Sequence, residues 1–161
     1  MRPPSLRLIG TSPWATHGAP EDNRNNHPHP AGRGWLVHNG VVHNHAHLAR
    51  EYELAPQTQC DSEVLGLLLA RMPGPIDLRA TRTAAAAMGP LAILGVWAKP
   101  ARLLVVRRGK PLSIGETDDG SYFGSLAGEL PGMKMEIPNG YAGVLSYPDG
   151  TIHERGVAIR G

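Results

Sequence analysis

Leu91-Ala92-Ile93-Leu94-Gly95-Val96-Trp97-Ala98, held between Gly89-Pro90 and Lys99-Pro100, is where the hydrophobic pattern of the chain changes period. The run reads as a strand bounded by turn residues. Upstream of it the period is helical. Residues 77–88 form an Ala-rich stretch that ends at Gly89-Pro90. Before that, a helix is expected to start at Asp61 or Ser62, either a suitable N-cap, with Glu63 in the first turn. Its apolar face is Val64, Leu65, Leu68 and Met72, and Pro73-Gly74-Pro75 stops it. Downstream the pattern stays strand-like at 102–107, 112–115, 121–125 and 133–137, and residues 140–146 and 152–159 add one or two more strands. Lys-Pro, Arg-Gly-Lys-Pro, Asp-Asp-Gly and Leu-Pro-Gly separate the first of these. Two helices followed by an antiparallel meander imply an α+β fold with helices packed on sheet.

Toward the amino terminus, a short helix is expected over 46–52. Trp35-Leu36-Val37 and Val41-Val42 flank His38-Asn39-Gly40, and Asn-Gly between apolar pairs predicts a hairpin turn there. Residues 10–34 carry Gly, Pro, Asn and His with almost no apolar pattern and read as one long loop, of the length that is usually functional. Residues 6–9 read as a strand. No internal repeat is present.

With 161 residues, 41% hydrophobic and 19% charged, the chain (1–161) fits one globular domain. A formal net charge of +2, with arginines scattered rather than striped, gives no argument for nucleic acid or for a membrane surface. No apolar run reaches the length of a membrane span. The opening Met1-Arg2-Pro3-Pro4-Ser5 shows no signal-peptide pattern, and the single Cys60 forms no internal disulfide. The expected location is the cytoplasm.

Eight histidines raise the question of a metal. His27-Pro28-His29 and His43-Asn44-His45-Ala46-His47 alternate, which on a strand would put the rings on one face. There is no cysteine pair and no HExxH, so the expectation is solvated loop histidines, no metal and no other cofactor. Cys60, just before a helix, could have its thiol pKa lowered by the helix N-terminus and act as a nucleophile. Spacing fixes no histidine partner, and the plainer reading is a small, partly buried residue.

Five segments then fall in one order. Trp14-Ala15-Thr16-His17-Gly18 resembles the W-A-T-H-G segment of the class II glutamine amidotransferases, of which the glucosamine-6-phosphate synthase glutaminase domain is a member. His27-Pro28-His29 resembles that family's H-P-H, and residues 37–44 its V-H-N-G-I-I-E-N. Cys60-Asp61-Ser62-Glu63-Val64 resembles T-D-T-E-V, and residues 108–115 resemble R-x-G-x-P-L-x-I-G. The likeness covers roughly residues 6–145. It implies the amino-terminal-nucleophile sandwich, two antiparallel sheets between helical layers (αββα). It also implies a reaction in which an N-terminal cysteine attacks the glutamine side-chain amide, releases ammonia and leaves a thioester for water.

By the same resemblance, Asn39 (side chain) and Gly40 (backbone N–H) match the oxyanion donors. Asp61 matches the carboxylate that holds the substrate α-amine, and Thr16 and His17 line the α-carboxylate. Trp14 is the aromatic lid, and His27 braces that loop. Two departures stand out. Thirteen residues precede Trp14 and begin with Met1, so the expectation is an incomplete sandwich without the catalytic cysteine segment. The family's carboxylate-gripping arginine is replaced by Pro13; neither lysine nor water reproduces its bidentate fork, and nothing in the sequence assigns Arg7 or Arg24 as its substitute. The expected function is therefore a non-catalytic binding or structural subunit that binds glutamine and a protein partner, or a second copy, that completes the sandwich. The alternative is one half of a split glutaminase whose cysteine lies on another chain. No acceptor domain is expected. Stand-alone domains of this kind also occur in phage-encoded proteins, which adds a virion-associated location.

Overall fold

The computed structural model describes residues 23–99, 101–146 and 153–158. A 3-10 turn at Asn23–Asn25 leads into β1 (His29–Ala31) and β2 (Gly34–Gly40). Three helices follow: α1 (His45–Glu51), α2 (Asp61–Arg71) and α3 (Ile76–Ala86). Then come β3 (Leu91–Ala98), β4 (Ala101–Arg108), β5 (Ser113–Thr117), β6 (Gly120–Gly124), β7 (Met133–Glu136), β8 (Tyr141–Ser146) and β9 (His153–Ala158). The strands form two antiparallel sheets, one in the order β1-β2-β3-β4-β8-β9 and a smaller one in the order β6-β5-β7.

The alternation of β3 and β4 builds two cores. Leu91 and Ile93, with Leu104 and Val106, face the helices and pack on Leu65, Leu68, Leu69, Ala80 and Ala84. Ala92, Leu103 and Val105 face the other way and pack on Leu112, Ile114 and Ile137, beneath the small sheet. Both faces of β3 and β4 are thus covered, which explains why their sequences are nearly continuous apolar runs. The described helices all lie on one side of the large sheet, giving helix, sheet and sheet layers. α2 sits directly on β1. A Cβ at Gly66 would stand 2.2 Å from the Pro30 carbonyl oxygen, so only glycine allows that approach. Arg108 fastens the far end of α3 by donating to the carbonyls of Ala84 (2.6 Å), Ala87 (2.6 Å) and Gly89 (2.8 Å).

The α+β class and the helix-to-strand change at Gly89-Pro90 are as expected, with corrections in detail. Asn39-Gly40 is not a hairpin turn. β2 ends there, and residues 41–44 run beside 88–90, with Val41 N donating to Pro90 O (3.3 Å) and His43 N to Met88 O (2.9 Å). The hairpin lies one strand earlier, between β1 and β2 across Gly32-Arg33, inside the stretch expected to be a long loop. The meander is broken as well, because β5, β6 and β7 leave for the second sheet before β8 returns beside β4. Cys60, not Asp61 or Ser62, occupies the N-cap position of α2. His45 and His47 are on α1 rather than a strand. The strand expected at 6–9 lies outside the described residues. Among the described residues, no helix is long and apolar enough to cross a membrane.

Candidate active site

The end of β2 is held in place by its neighbours. Gly40 has φ of 145°, and a Cβ there would stand 1.9 Å from the Pro90 carbonyl oxygen, so the backbone conformation and the space both demand glycine. Asn44 locks the segment that follows. Its Nδ2 donates to Ala86 O (2.9 Å) and its Oδ1 accepts from Met88 N (2.8 Å). Asp61 closes the other side. It is 1% exposed, and its Oδ2 accepts a 2.6 Å hydrogen bond from Val42 N. A carboxylate bonded to a backbone N–H is charge-assisted, and here it ties the first residue of α2 to the turn after Gly40. Among the described residues, its Oδ1 has only a long contact, 3.5 Å, from the Ser62 hydroxyl.

Side-chain alternation along β2 divides the site. Leu36 and His38 point to the helices, and His38 Nδ1 shares a 2.9 Å hydrogen bond with Ser62 Oγ. Trp35 and Asn39 point to the opposite face, where both are exposed. Burial drives the His38 pKa down to about 4 against the opposing pull of the Asp61 carboxylate, so this ring is neutral near neutral pH. Burial, and then the neighbouring His29 and His38, likewise bring His27 to about 4. Glu63 is a brace rather than a ligand. Its carboxylate accepts from Gln57 N (3.0 Å) and from Thr58 N (2.8 Å) and Oγ1 (2.7 Å). These bonds outweigh burial and leave its pKa lowered.

Of the residues singled out in the sequence, Asp61 binds the Val42 amide two residues beyond Gly40, Asn39 projects from the other face of β2, and His27 lies within electrostatic reach of Asp61 and His38. Trp14, Thr16 and His17 lie outside the described residues. The expectation of solvated histidines fails for His27 and His29. His29 is 2% exposed, and both ring nitrogens of His27 are buried. The Cys60 thiol departs from the helix-terminus argument. Burial pushes its pKa up, and the amides of Ser62 and Glu63 only partly offset this. Sequence reasoning missed Asn44 and Ser62, which position the site through side-chain bonds across 42 and 24 residues of chain. A cavity of about 220 Å³ lies elsewhere, lined in part by Arg33, Arg79, Lys99 and Arg102, and holds none of these residues.

No family model matches the chain. Over 127 residues, 74% of its length, it is 39% identical to glutamine–fructose-6-phosphate aminotransferase (isomerizing) of Caulobacter vibrioides, and it spans 21% of that protein. Among solved structures, it resembles the allosteric regulatory enzyme of purine biosynthesis, with a TM-score of 0.69, 20% identity, and coverage of 85% of this chain and 32% of that one. It also resembles glutamine phosphoribosylpyrophosphate amidotransferase from B. subtilis, with a TM-score of 0.60, 20% identity, and coverage of 79% and 29%.

The chain is a class II glutamine amidotransferase relative. Its two antiparallel sheets and three helices are those of the amino-terminal-nucleophile fold. It spans about a fifth of the length of the curated relatives it matches. Asn39 and Gly40 are the last two residues of β2, with the Asn39 side chain on the face turned away from α2.

Proposed function

We propose that this chain carries the glutamine-binding side of a class II amidotransferase pocket and is not catalytic by itself. The observation behind this is the placement of Cys60, the single cysteine of the sequence. It is buried at the start of α2 with its thiol pKa raised, on the helical side of the large sheet. Asn39 projects from the opposite face, so a tetrahedral intermediate formed at Cys60 would not meet that donor. Oxyanion stabilisation requires donors within about 3 Å of the developing charge, and one donor is worth roughly 10²–10³ in rate. The Asn39 amide, the Gly40 N–H and Oδ1 of Asp61, which accepts a long contact from Ser62 Oγ, are the groups that would meet the substrate. The first two would meet the amide oxygen and the last the α-ammonium.

A second reading has its own support. Trp35 and Asn39 stand exposed on that face of β2, on either side of the buried Val37, and among the described residues the core between the sheets draws nothing from β2. A cysteine-bearing segment on another polypeptide, laid against that face, would make one half of a split glutaminase of this chain.

Glutamate release from glutamine tests both. The chain alone is expected to release none. Addition of a cysteine-bearing amino-terminal segment would select the split form if activity appears. Release by the lone chain would overturn the non-catalytic reading, and its loss or persistence in Cys60→Ser would say whether Cys60 is the nucleophile. Calorimetry with glutamine asks separately about binding. Asp61→Asn is expected to lower affinity at least tenfold, and no binding to the unaltered chain would remove the glutamine assignment.

A further inference from the structure

His27, His29 and Cys60 are brought together from segments more than thirty residues apart. One donor atom from each lies within 4.8 Å of the other two. Both nitrogens of His27 and Nε2 of His29 are buried with no hydrogen-bond partner among the described residues. Orphaned buried polar atoms are costly, and a cluster of them around a thiol calls for an explanation. His29 is 2% exposed and Cys60 is 8% exposed, so water solvates neither ring nor sulfur freely. We propose that His27, His29 and Cys60 bind a borderline-soft divalent cation of the zinc class, through two imidazole nitrogens and one thiolate.

The chemistry of the donor set fits that class. Imidazole and thiolate together favour zinc over magnesium or calcium, which take oxygen ligands. Zinc bonds of about 2.0–2.1 Å to nitrogen and about 2.3 Å to sulfur place tetrahedral donors roughly 3.3–3.6 Å apart. The present cluster therefore has to close by about 1 Å along its longest edge, within reach of side-chain rotation. The rings already stand nearly perpendicular, 74° between planes at a centroid distance of 5.0 Å, so they neither stack nor block a central ion.

The framework around the cluster is fixed. Gly66 lets α2 lie on the backbone of β1, and Asn25 Oδ1 accepts from Gln59 N at 3.0 Å, which ties the segment before His27 to the residue before Cys60. The electrostatics suit a cation as well. Asp61 and Glu63 both act on His29 in the sense that favours positive charge, and Asp61 does so on His27. Burial disfavours the Cys60 thiolate in the empty site, and the amides of Ser62 and Glu63 offset part of that. Binding displaces the thiol proton to solvent, the rings bind in their neutral form, and no redox step is involved. Three protein donors leave one tetrahedral position for water. The ion would fasten β1 to the start of α2, beside Asp61.

The test uses the full chain, stripped with chelator and titrated first with Co²⁺ and then with Zn²⁺. Co²⁺ is expected to bind at one equivalent and to give a thiolate-to-cobalt charge-transfer band, bleached when Zn²⁺ displaces it. With Cys60 the single cysteine, that band reports this site alone. Zn²⁺ at a hundredfold excess over Kd should raise Tm by about 5–10 °C. Cys60→Ser should abolish the band, and His29→Gln should weaken Zn²⁺ at least tenfold. His47→Gln, exposed on α1, should change neither. Where a variant does not fold, by circular dichroism, the unaltered chain decides by its band. Absence of the band at one equivalent overturns the proposal. So does affinity unchanged by both Cys60→Ser and His29→Gln, or lost on His47→Gln.

Discussion

The two faces of β2 are built to different standards. Toward the helices, Leu36 joins a closed core with Leu65 and Leu68, and His38 is hydrogen-bonded to Ser62 beneath α2. Toward the second sheet, Trp35 is 50% exposed and Asn39 is exposed with it. One strand thus serves as wall of a closed core on one face and, on the other, buries Val37 while leaving Trp35 and Asn39 at the surface. The difference teaches where the fold keeps its stability and where it keeps surface for chemistry. The closed face fixes Gly40 and Asp61, while the open face presents Asn39.

If that division is right, the closed face should carry the largest effect. Leu68 is fully buried among α2, β3 and β4 side chains. Leu68→Ala is expected to cost about 2–5 kcal/mol, the sum of lost transfer energy and a cavity that the packed sheet cannot collapse. Urea unfolding with an unchanged m-value measures it. A cost below about 1 kcal/mol would mean that the helical face is not the stabilising one.

The next effect is acid sensitivity on the same face. His38 titrates near 4 when folded and near 6.5 when unfolded, so the unfolded chain binds the proton first. Its contribution is complete above pH 6.5 and is lost progressively as pH falls toward 4, by about 3 kcal/mol across the window at roughly 1.4 kcal/mol per unit. His38→Gln keeps a group able to bond Ser62 and removes the titration. Its stability curve should be flatter between those limits, and a curve as steep as that of the unaltered chain would assign the acid sensitivity elsewhere.

Legibility in the sequence followed the same division. Helices α2 and α3 and strands β3 and β4 could be read because periodicity reports burial, and these elements are buried along whole faces. The hairpin was placed one strand too late because Asn39-Gly40 has the residues of a tight turn. Gly40 is instead glycine for the sake of Pro90, a contact from fifty residues away that no local pattern carries. The true hairpin hid in His29-Pro30-Ala31-Gly32-Arg33-Gly34, whose strand is too short to alternate visibly. Asn39, Gly40 and Asp61 were found through ordered motifs, while Asn44 was given no role and Ser62 only that of a candidate helix cap. Their roles are hydrogen bonds across the fold, and a polar residue in a loop or a first helical turn looks the same whether or not it makes one.

The smallest effect is the one that most sharpens the comparison. Trp35 pairs with Val96 across the ladder but leaves half its surface to solvent. Trp35→Ala is therefore expected to change stability by less than about 1 kcal/mol, well below the Leu68 variant, because the side chain loses contacts on one flank only. Binding is a different matter. Large aromatic side chains at the centre of an interface commonly carry 2 kcal/mol or more, roughly a thirtyfold change in affinity. If a cysteine-bearing segment completes the sandwich over this face, Trp35→Ala should weaken its capture by about that factor while leaving the unfolding midpoint nearly fixed. Equal capture by both forms would place the partner on another surface.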